Sequence, residues 1–182
     1  AVLSPYFPYP LSHGGAVRIY NLMRRAAADF DQVLVAFTER LAPPPPELLE
    51  ICAEVVLVER QGSHALPPTR DPDTVEEFRS AAFRAALHQT VRKWRPRIAQ
   101  LEFTQMAQYA ADCRPARTVL VEHDITYDLY RQLVAETGDW ETRRQLGRWL
   151  RYEPAAWRAV DRVVTMSERD RKQVRGAPAI GV

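Results

Sequence analysis

The chain has 182 residues, of which 46% are hydrophobic and 26% charged, and this balance is typical of a globular domain that buries its own core. A formal net charge of +2 is too small to indicate a nucleic-acid-binding protein, and no apolar run approaches the roughly 20 residues of a membrane-spanning helix. The two cysteines, Cys52 and Cys113, have no paired spacing, so the sequence predicts neither a zinc motif nor a disulfide framework.

These features favour a cytoplasmic location. Two unpaired cysteines are typical of a reducing compartment. The N-terminus has no basic stretch followed by an apolar one, which a secretory signal would need. Both ends read as interrupted strands, AVLS at the start and APAIGV at the end, so we expect an excised domain.

Short apolar runs alternate with longer helical patterns along the whole chain. The runs are rich in β-branched residues and continuous rather than alternating, which is typical of strands buried on both faces. They occupy residues 2–3, 32–37, 54–58, 98–103, 118–121 and 162–166, with 179–182 as the start of a seventh.

Helical patterns fill the intervals at residues 16–28, 74–94 and 140–160. Thr74 and Glu77 have the spacing of a capping box, Pro154 predicts a kink or break, and Ser167 is a candidate N-cap. Residues 42–46 form a proline-rich connector and residues 60–73 an exposed loop.

Strand and helix alternate about six times, and no linker divides the chain. This alternation predicts one domain over residues 1–182 with a doubly wound, Rossmann-like α/β fold. We expect a mostly parallel sheet of about six to seven strands with helices on both faces.

A pair of glycines marks the loop after the first strand. Residues 4–25 read SPYFPYPLSHGGAVRIYNLMRR, so Gly14 and Gly15 lie immediately before a helix. Ligands of such folds bind at the carboxyl ends of the strands, where a helix N-terminus suits a phosphate group. The alternative is a tight turn that needs positive φ and binds nothing. Neither a dinucleotide fingerprint nor a P-loop is present.

Four segments, in order, resemble blocks of one enzyme family. The chain is similar to the N-terminal, acceptor-side domain of retaining glycosyltransferases with two-domain GT-B architecture, of the group 1 or family 4 type. The resemblance implies a bacterial, hexosyltransferase-like enzyme of glycan biosynthesis, whose donor-binding C-terminal domain is absent from this chain. The segments are residues 4–27, 102–110 (EFTQMAQYA), 121–133 (VEHDITYDLYRQL) and 151–171 (RYEPAAWRAVDRVVTMSERDR).

The resemblance also implies roles for individual residues. Gly14 and Gly15 would approach the donor's phosphates, and His123 would act at the donor sugar near the reacting carbon. The residues expected to contact the acceptor or a sugar are His13, Arg18, Glu102, Glu122 and Asp124.

Other roles remain open for several of these side chains. His123 could instead cap the next helix, and Glu102 could belong to a capping network. Asp124 could serve as a base for the acceptor hydroxyl. Enzymes of the resembling family, however, are often thought to use the donor phosphate as that base.

The full enzyme would transfer a sugar from a nucleotide-sugar to a sugar or lipid-linked acceptor with retention of configuration. No metal and no other cofactor is implied. Residues 140–162 mix tryptophans with arginines, so peripheral contact with the inner membrane face is an alternative to an ordinary domain helix, which we prefer. The alternatives to a glycosyltransferase are a stand-alone ligand-binding or regulatory module and a GT-B type sugar epimerase.

Overall fold

The fold is built on a seven-stranded sheet in which every neighbouring pair of strands is parallel. The structure is a computed structural model and describes residues 1–60 and 69–182. The strands are β1 (Val2–Ser4), β2 (Val33–Thr38), β3 (Glu54–Glu59), β4 (Ile98–Glu102), β5 (Arg117–Glu122), β6 (Arg162–Thr165) and β7 (Ile180–Gly181).

Helices connect the strands and cover both faces of the sheet, which confirms the predicted doubly wound, Rossmann-like α/β fold. Two 3₁₀ segments, Thr104–Tyr109 and Ala111–Cys113, follow β4. The helices are α1 (Gly14–Ala26), α2 (Pro46–Leu49), α3 (Asp73–Glu77), α4 (Ala81–Trp94), α5 (Thr126–Thr137), α6 (Trp140–Ala159) and α7 (Glu168–Arg171).

The core has two layers because successive strand residues point to opposite faces. Val2 packs with Ile19 of α1 on one face, whereas Leu3 belongs to the cluster on the other face, together with Phe83 of α4 and Trp157 of α6. Both faces are therefore apolar, which explains why the strands read as continuous hydrophobic runs.

The order β3-β2-β1-β4-β5-β6-β7 places the switch point of the sheet between β1 and β4. The chain leaves β1 toward β2 on one side and returns from β3 to β4 on the other side. The connections at the carboxyl ends of these two strands diverge and leave a crevice, which is the usual ligand site of an open parallel sheet.

The helix predicted over residues 74–94 is two helices. Ser80 caps α4 by accepting a hydrogen bond from the Phe83 N–H at 3.1 Å, and the Tyr109 hydroxyl bridges the break by binding both Ser80 and Phe78. The predicted capping box of Thr74 is wrong, since α3 has no side-chain cap, and the partner of Glu77 is the Arg60 guanidinium.

Helix α6 continues through Pro154 without a break. Trp149 and Trp157 are fully buried, as expected of an ordinary domain helix, but Trp140 at its start is 73% exposed. No helix in the described ranges combines the length and apolar character needed to cross a bilayer. Peripheral membrane contact stays a prediction.

The two thiols are free and buried. Burial raises the pKa of Cys52 to about 11 and that of Cys113 to about 12, so both stay protonated near neutral pH.

The exposed loop predicted over residues 60–73 falls mostly on residues 61–68, which lie outside the described residues.

Candidate functional site

An open pocket of about 550 Å³ lies at the carboxyl ends of β1, β4, β5 and β6. Its walls come from the loop after β1, the start of α1 and the residues that immediately follow β4, β5 and β6. The lining residues are Tyr6, His13, Gly14, Gly15, Arg18, Phe103, His123, Asp124 and Met166.

Six of the eight site residues predicted from the sequence line this pocket, although they come from two segments more than 100 positions apart. These six are His13, Gly14, Gly15, Arg18, His123 and Asp124. The other two, Glu102 and Glu122, are fully buried and do not line the pocket.

The glycines begin α1, and His13 caps this helix because its Nδ1 accepts a hydrogen bond from the Ala16 N–H at 3.3 Å. Neither Gly14 nor Gly15 has a positive φ, so the alternative of a positive-φ turn is wrong. Among the described residues, nothing lies within 4 Å of a Cβ at Gly14, whereas a Cβ at Gly15 would lie 3.1 Å from Cζ of Phe103.

His123 is held on two sides at the floor of the pocket. Its Nε2 lies 2.7 Å from Oε2 of Glu102, and its ring stacks on Phe103 with centroids 3.7 Å apart and planes inclined by 10°. Its side chain is only 9% exposed. The ring does not cap the next helix, because the first N–H groups of α5, those of Thr126 and Tyr127, donate to the Glu153 carboxylate.

Glu102 does not reach the pocket surface. It is fully buried, and its two carboxylate oxygens accept hydrogen bonds from Gln100 and His123. The expectation of a direct acceptor contact is therefore not met in this arrangement. Glu102 instead binds the imidazole of His123, which lines the pocket.

Glu122 points to the opposite side of the sheet, toward α6. It is 1% exposed and accepts hydrogen bonds from Trp157 Nε1 at 2.6 Å and from the Thr104 hydroxyl. The expected contact of Glu122 with the acceptor or a sugar is therefore not met in this arrangement, because successive residues along a strand face opposite sides.

Burial, together with the nearby charge of Glu153, raises the pKa of Glu122 to about 8. Between its ordinary value of 4.5 and about 8, Glu122 is protonated in the folded chain and ionised in the unfolded chain. The contribution of Glu122 to the free energy of unfolding is therefore largest below its ordinary pKa. The free energy of unfolding falls as pH rises through this window, by at most about 1.4 kcal/mol per pH unit.

We expect Glu122→Gln to flatten this dependence, because an amide cannot ionise. Urea unfolding of both proteins at about pH 5 and about pH 8 measures the effect, and the variant should gain stability relative to wild type at the higher pH. If the free energy of unfolding changed equally between the two pH values in both proteins, this would contradict the assigned protonation of Glu122.

Arg18 supplies positive charge at one wall of the pocket. Its Nη1 atom is buried and has no hydrogen-bond partner among the described residues, and leaving such a donor unpaired costs stability. Asp124 is exposed at the rim beyond His123 and offers an acceptor for a hydroxyl. In residues 1–60 and 69–182, no group of three or more His, Cys, Asp and Glu side chains could hold a metal ion.

Sequence reasoning missed three lining residues, Tyr6, Phe103 and Met166. Tyr6 contacts both His13 and Phe103 edge to face, with ring centroids 5.8 Å and 5.4 Å apart. The sequence signal for Tyr6 is the aromatic, proline-rich loop that contains it. The sequence pattern places Phe103 at the end of the strand over residues 98–103, whereas β4 ends at Glu102 and Phe103 has a φ of 69°.

Solved structures with the same fold are glycosyltransferases of GT-B architecture. Sucrose-phosphate synthase from Thermosynechococcus elongatus is 15% identical, with a TM-score of 0.65 over 98% of this chain and 46% of that one. A UDP-glucosyltransferase from Polygonum tinctorium is 10% identical, with a TM-score of 0.58 over 98% of this chain and 51% of that one.

A third structure, UGT2 from Phytolacca americana, was solved with UDP-2fluoro-glucose and pterostilbene. It is 10% identical, with a TM-score of 0.53 over 99% of this chain and 53% of that one. No protein-family model matches the sequence, and no curated protein is a significant match. The chain thus spans about half the length of these structures and has the fold of an N-terminal GT-B domain.

Proposed function

We propose that this chain is the acceptor-side domain of a glycosyltransferase that transfers a sugar from a nucleotide-sugar to an acceptor with retention of configuration. One observation carries the proposal. The pocket gathers six residues that the sequence resemblance had implicated, at the switch point of a fold shared with glycosyltransferases over nearly the whole chain.

A nucleotide-sugar is the donor that the structural neighbours favour. One was solved with UDP-2fluoro-glucose, and another is described as a UDP-glucosyltransferase. The first turn of α1 is suited to the donor's phosphates, because helix N-termini present free N–H groups and the positive end of the helix dipole. Gly14 leaves this turn open, since no described residue occupies the space of a Cβ.

His123 and Asp124 are the groups placed to meet the sugars. His123 presents a partly exposed imidazole at the pocket floor, which can hydrogen-bond to a hydroxyl near the reacting carbon. Asp124, next to it at the rim, can accept a hydrogen bond from the acceptor hydroxyl. Basic groups of a second domain, together with the N–H groups of α1, would stabilise the departing diphosphate. No metal ion is required in this scheme.

The proposal predicts that the 182-residue chain binds its ligand but transfers no sugar, because it spans only about half of the glycosyltransferase structures that share its fold. The longer protein that includes a second α/β domain should transfer sugar from a nucleotide-sugar. The measurement is product formation from UDP-sugars and other nucleotide-sugars, with the anomeric configuration of the product read by NMR.

Several results would contradict this assignment. Transfer by the 182-residue chain alone would remove the need for a second domain. A free, epimerised sugar as product would favour the epimerase alternative. Absence of transfer by the longer protein, together with ligand binding to the pocket, would favour a binding or regulatory module.

A further inference from the structure

Four residues from separate segments form one layered assembly at the pocket floor. Gly15 of α1 lies against Phe103, Phe103 stacks on His123, and His123 binds Glu102. The assembly joins the start of α1 to the ends of β4 and β5. We name these four residues the imidazole clamp.

Phe103 takes an unusual backbone conformation to reach its place in the clamp. Its φ of 69° is one of two positive values among the non-glycine residues that the structure describes. Positive φ is unfavourable for a bulky side chain and persists where surrounding contacts compensate for it. Here the compensating contacts are the stack on His123 and the space left by Gly15, in which no Cβ obstructs the Phe103 ring.

The Glu102 carboxylate faces one of the two nitrogens of the His123 ring. Its Oε1 accepts a hydrogen bond from the Gln100 side-chain amide, and its Oε2 is 2.7 Å from Nε2 of His123. An ionised carboxylate can only accept hydrogen bonds, so Nε2 is the donor. In the neutral ring, Nδ1 is then the unprotonated nitrogen. This atom has no partner within residues 1–60 and 69–182.

We propose that Glu102 is a positioning residue that holds the neutral His123 ring in the Nε2–H form, so that Nδ1 accepts a hydrogen bond from a substrate hydroxyl. Phe103 and Gly15 hold the plane of the ring. The inference rests on the proposed function for the identity of the ligand, a sugar hydroxyl. The protonated nitrogen follows from the clamp alone.

The pair formed by His88 and Asp112 provides an internal comparison. Its nitrogen and oxygen atoms are 2.9 Å apart, but the His88 side chain is 45% exposed and stacks on no aromatic ring in the described residues. Water can replace Asp112 at this site, whereas no water competes at the fully buried Glu102. Asp112→Leu is therefore the matched control for Glu102→Leu.

The first experiment uses the 182-residue chain with isotope-labelled histidine. Long-range nitrogen–proton NMR spectra, recorded at a pH where the rings are neutral, report which nitrogen carries the proton. We expect a single Nε2–H form for His123, and a mixture of both forms in Glu102→Leu and in the milder Glu102→Gln. Asp112→Leu should leave the His123 signals unchanged.

The second experiment uses a protein in which this chain is joined to a donor-binding domain, as the proposed function requires. We expect Glu102→Leu to lower kcat by about 10-fold or more with little change in the donor KM. Carboxylates that hold a metal-binding histidine in one tautomer contribute about 10- to 100-fold, and Glu102 would orient His123 in the same way. Combined with His123→Gln, the Glu102 variant should cause no further loss, since it acts through that ring.

The outcomes separate the two proposals. An unchanged Nε2–H form in both folded Glu102 variants, or its absence from the wild type, would overturn the positioning role. A changed form with unaltered transfer would leave Glu102 as the residue that positions His123, but would remove His123 from the proposed reaction. If Glu102→Leu does not fold, Glu102→Gln and Phe103→Leu test the same clamp.

Discussion

Replacing His123 with glutamine in the proposed glycosyltransferase should lower the turnover number about 100-fold, which corresponds to about 2.7 kcal/mol of lost transition-state stabilisation. Glutamine can still donate a hydrogen bond to the buried Glu102 but has no imidazole to present to the pocket. The melting temperature should therefore stay close to that of the wild type.

His123→Ala should differ from His123→Gln in stability rather than in turnover. Alanine leaves the Glu102 carboxylate buried without its imidazole partner, and such a loss costs about 1 to 3 kcal/mol. The matched control is His88→Gln, in a second His–carboxylate pair outside the pocket, which should keep full activity. Turnover close to wild type in His123→Gln would show that the ring has only a structural role.

Alanine at Gly14 and at Gly15 should have different consequences. At Gly14 no described residue lies close to the new Cβ, so Gly14→Ala should keep the melting temperature of the wild type. The new methyl group should obstruct the approach of a phosphate and raise the donor KM about 10-fold, which corresponds to about 1.4 kcal/mol of binding free energy. At Gly15 the new Cβ would lie 3.1 Å from the Phe103 ring, so the ring must shift. Gly15→Ala should lower both the melting temperature and kcat.

The control for helix propensity is Gly147→Ala in α6, where a Cβ also has open space among the described residues. It should leave the kinetics unchanged and raise stability slightly, because alanine favours helices over glycine by about 0.5 to 1 kcal/mol. The measurements are melting temperature, kcat and donor KM for all three variants. An unchanged donor KM in Gly14→Ala would refute the approach of a phosphate at this turn.

The close contact between Gly15 and the Phe103 ring gives the two glycines different structural roles. The sequence suggested one reason for both, which was either a ligand phosphate or a turn with positive φ. The structure separates them: Gly14 is open to a ligand, and Gly15 makes room for Phe103 within the protein. A single substitution at Gly15 therefore cannot distinguish ligand obstruction from displacement of the imidazole clamp, and the comparison with Gly14 is needed.

By itself the sequence determined the fold class and the edge of the sheet on which the pocket lies. Continuous β-branched runs such as residues 32–37 can be buried only inside a covered sheet, and this signal is contained in each segment. The carboxyl ends of parallel strands share one edge, so segments as distant as Gly14 and His123 could be placed near one another without coordinates.

Only the tertiary structure decided which carboxylates reach the pocket. Glu122 is hydrogen-bonded to Trp157, which lies 35 positions further along the chain. Glu102 is hydrogen-bonded to His123, which lies 21 positions further along. The sequence indicates a helix after His123 but not where it begins, because the N-terminal N–H groups of α5 are satisfied by Glu153 of α6 rather than by a local capping residue. Each of these outcomes depends on hydrogen bonds between segments, and such bonds form only when packing brings distant side chains within about 3 Å of one another.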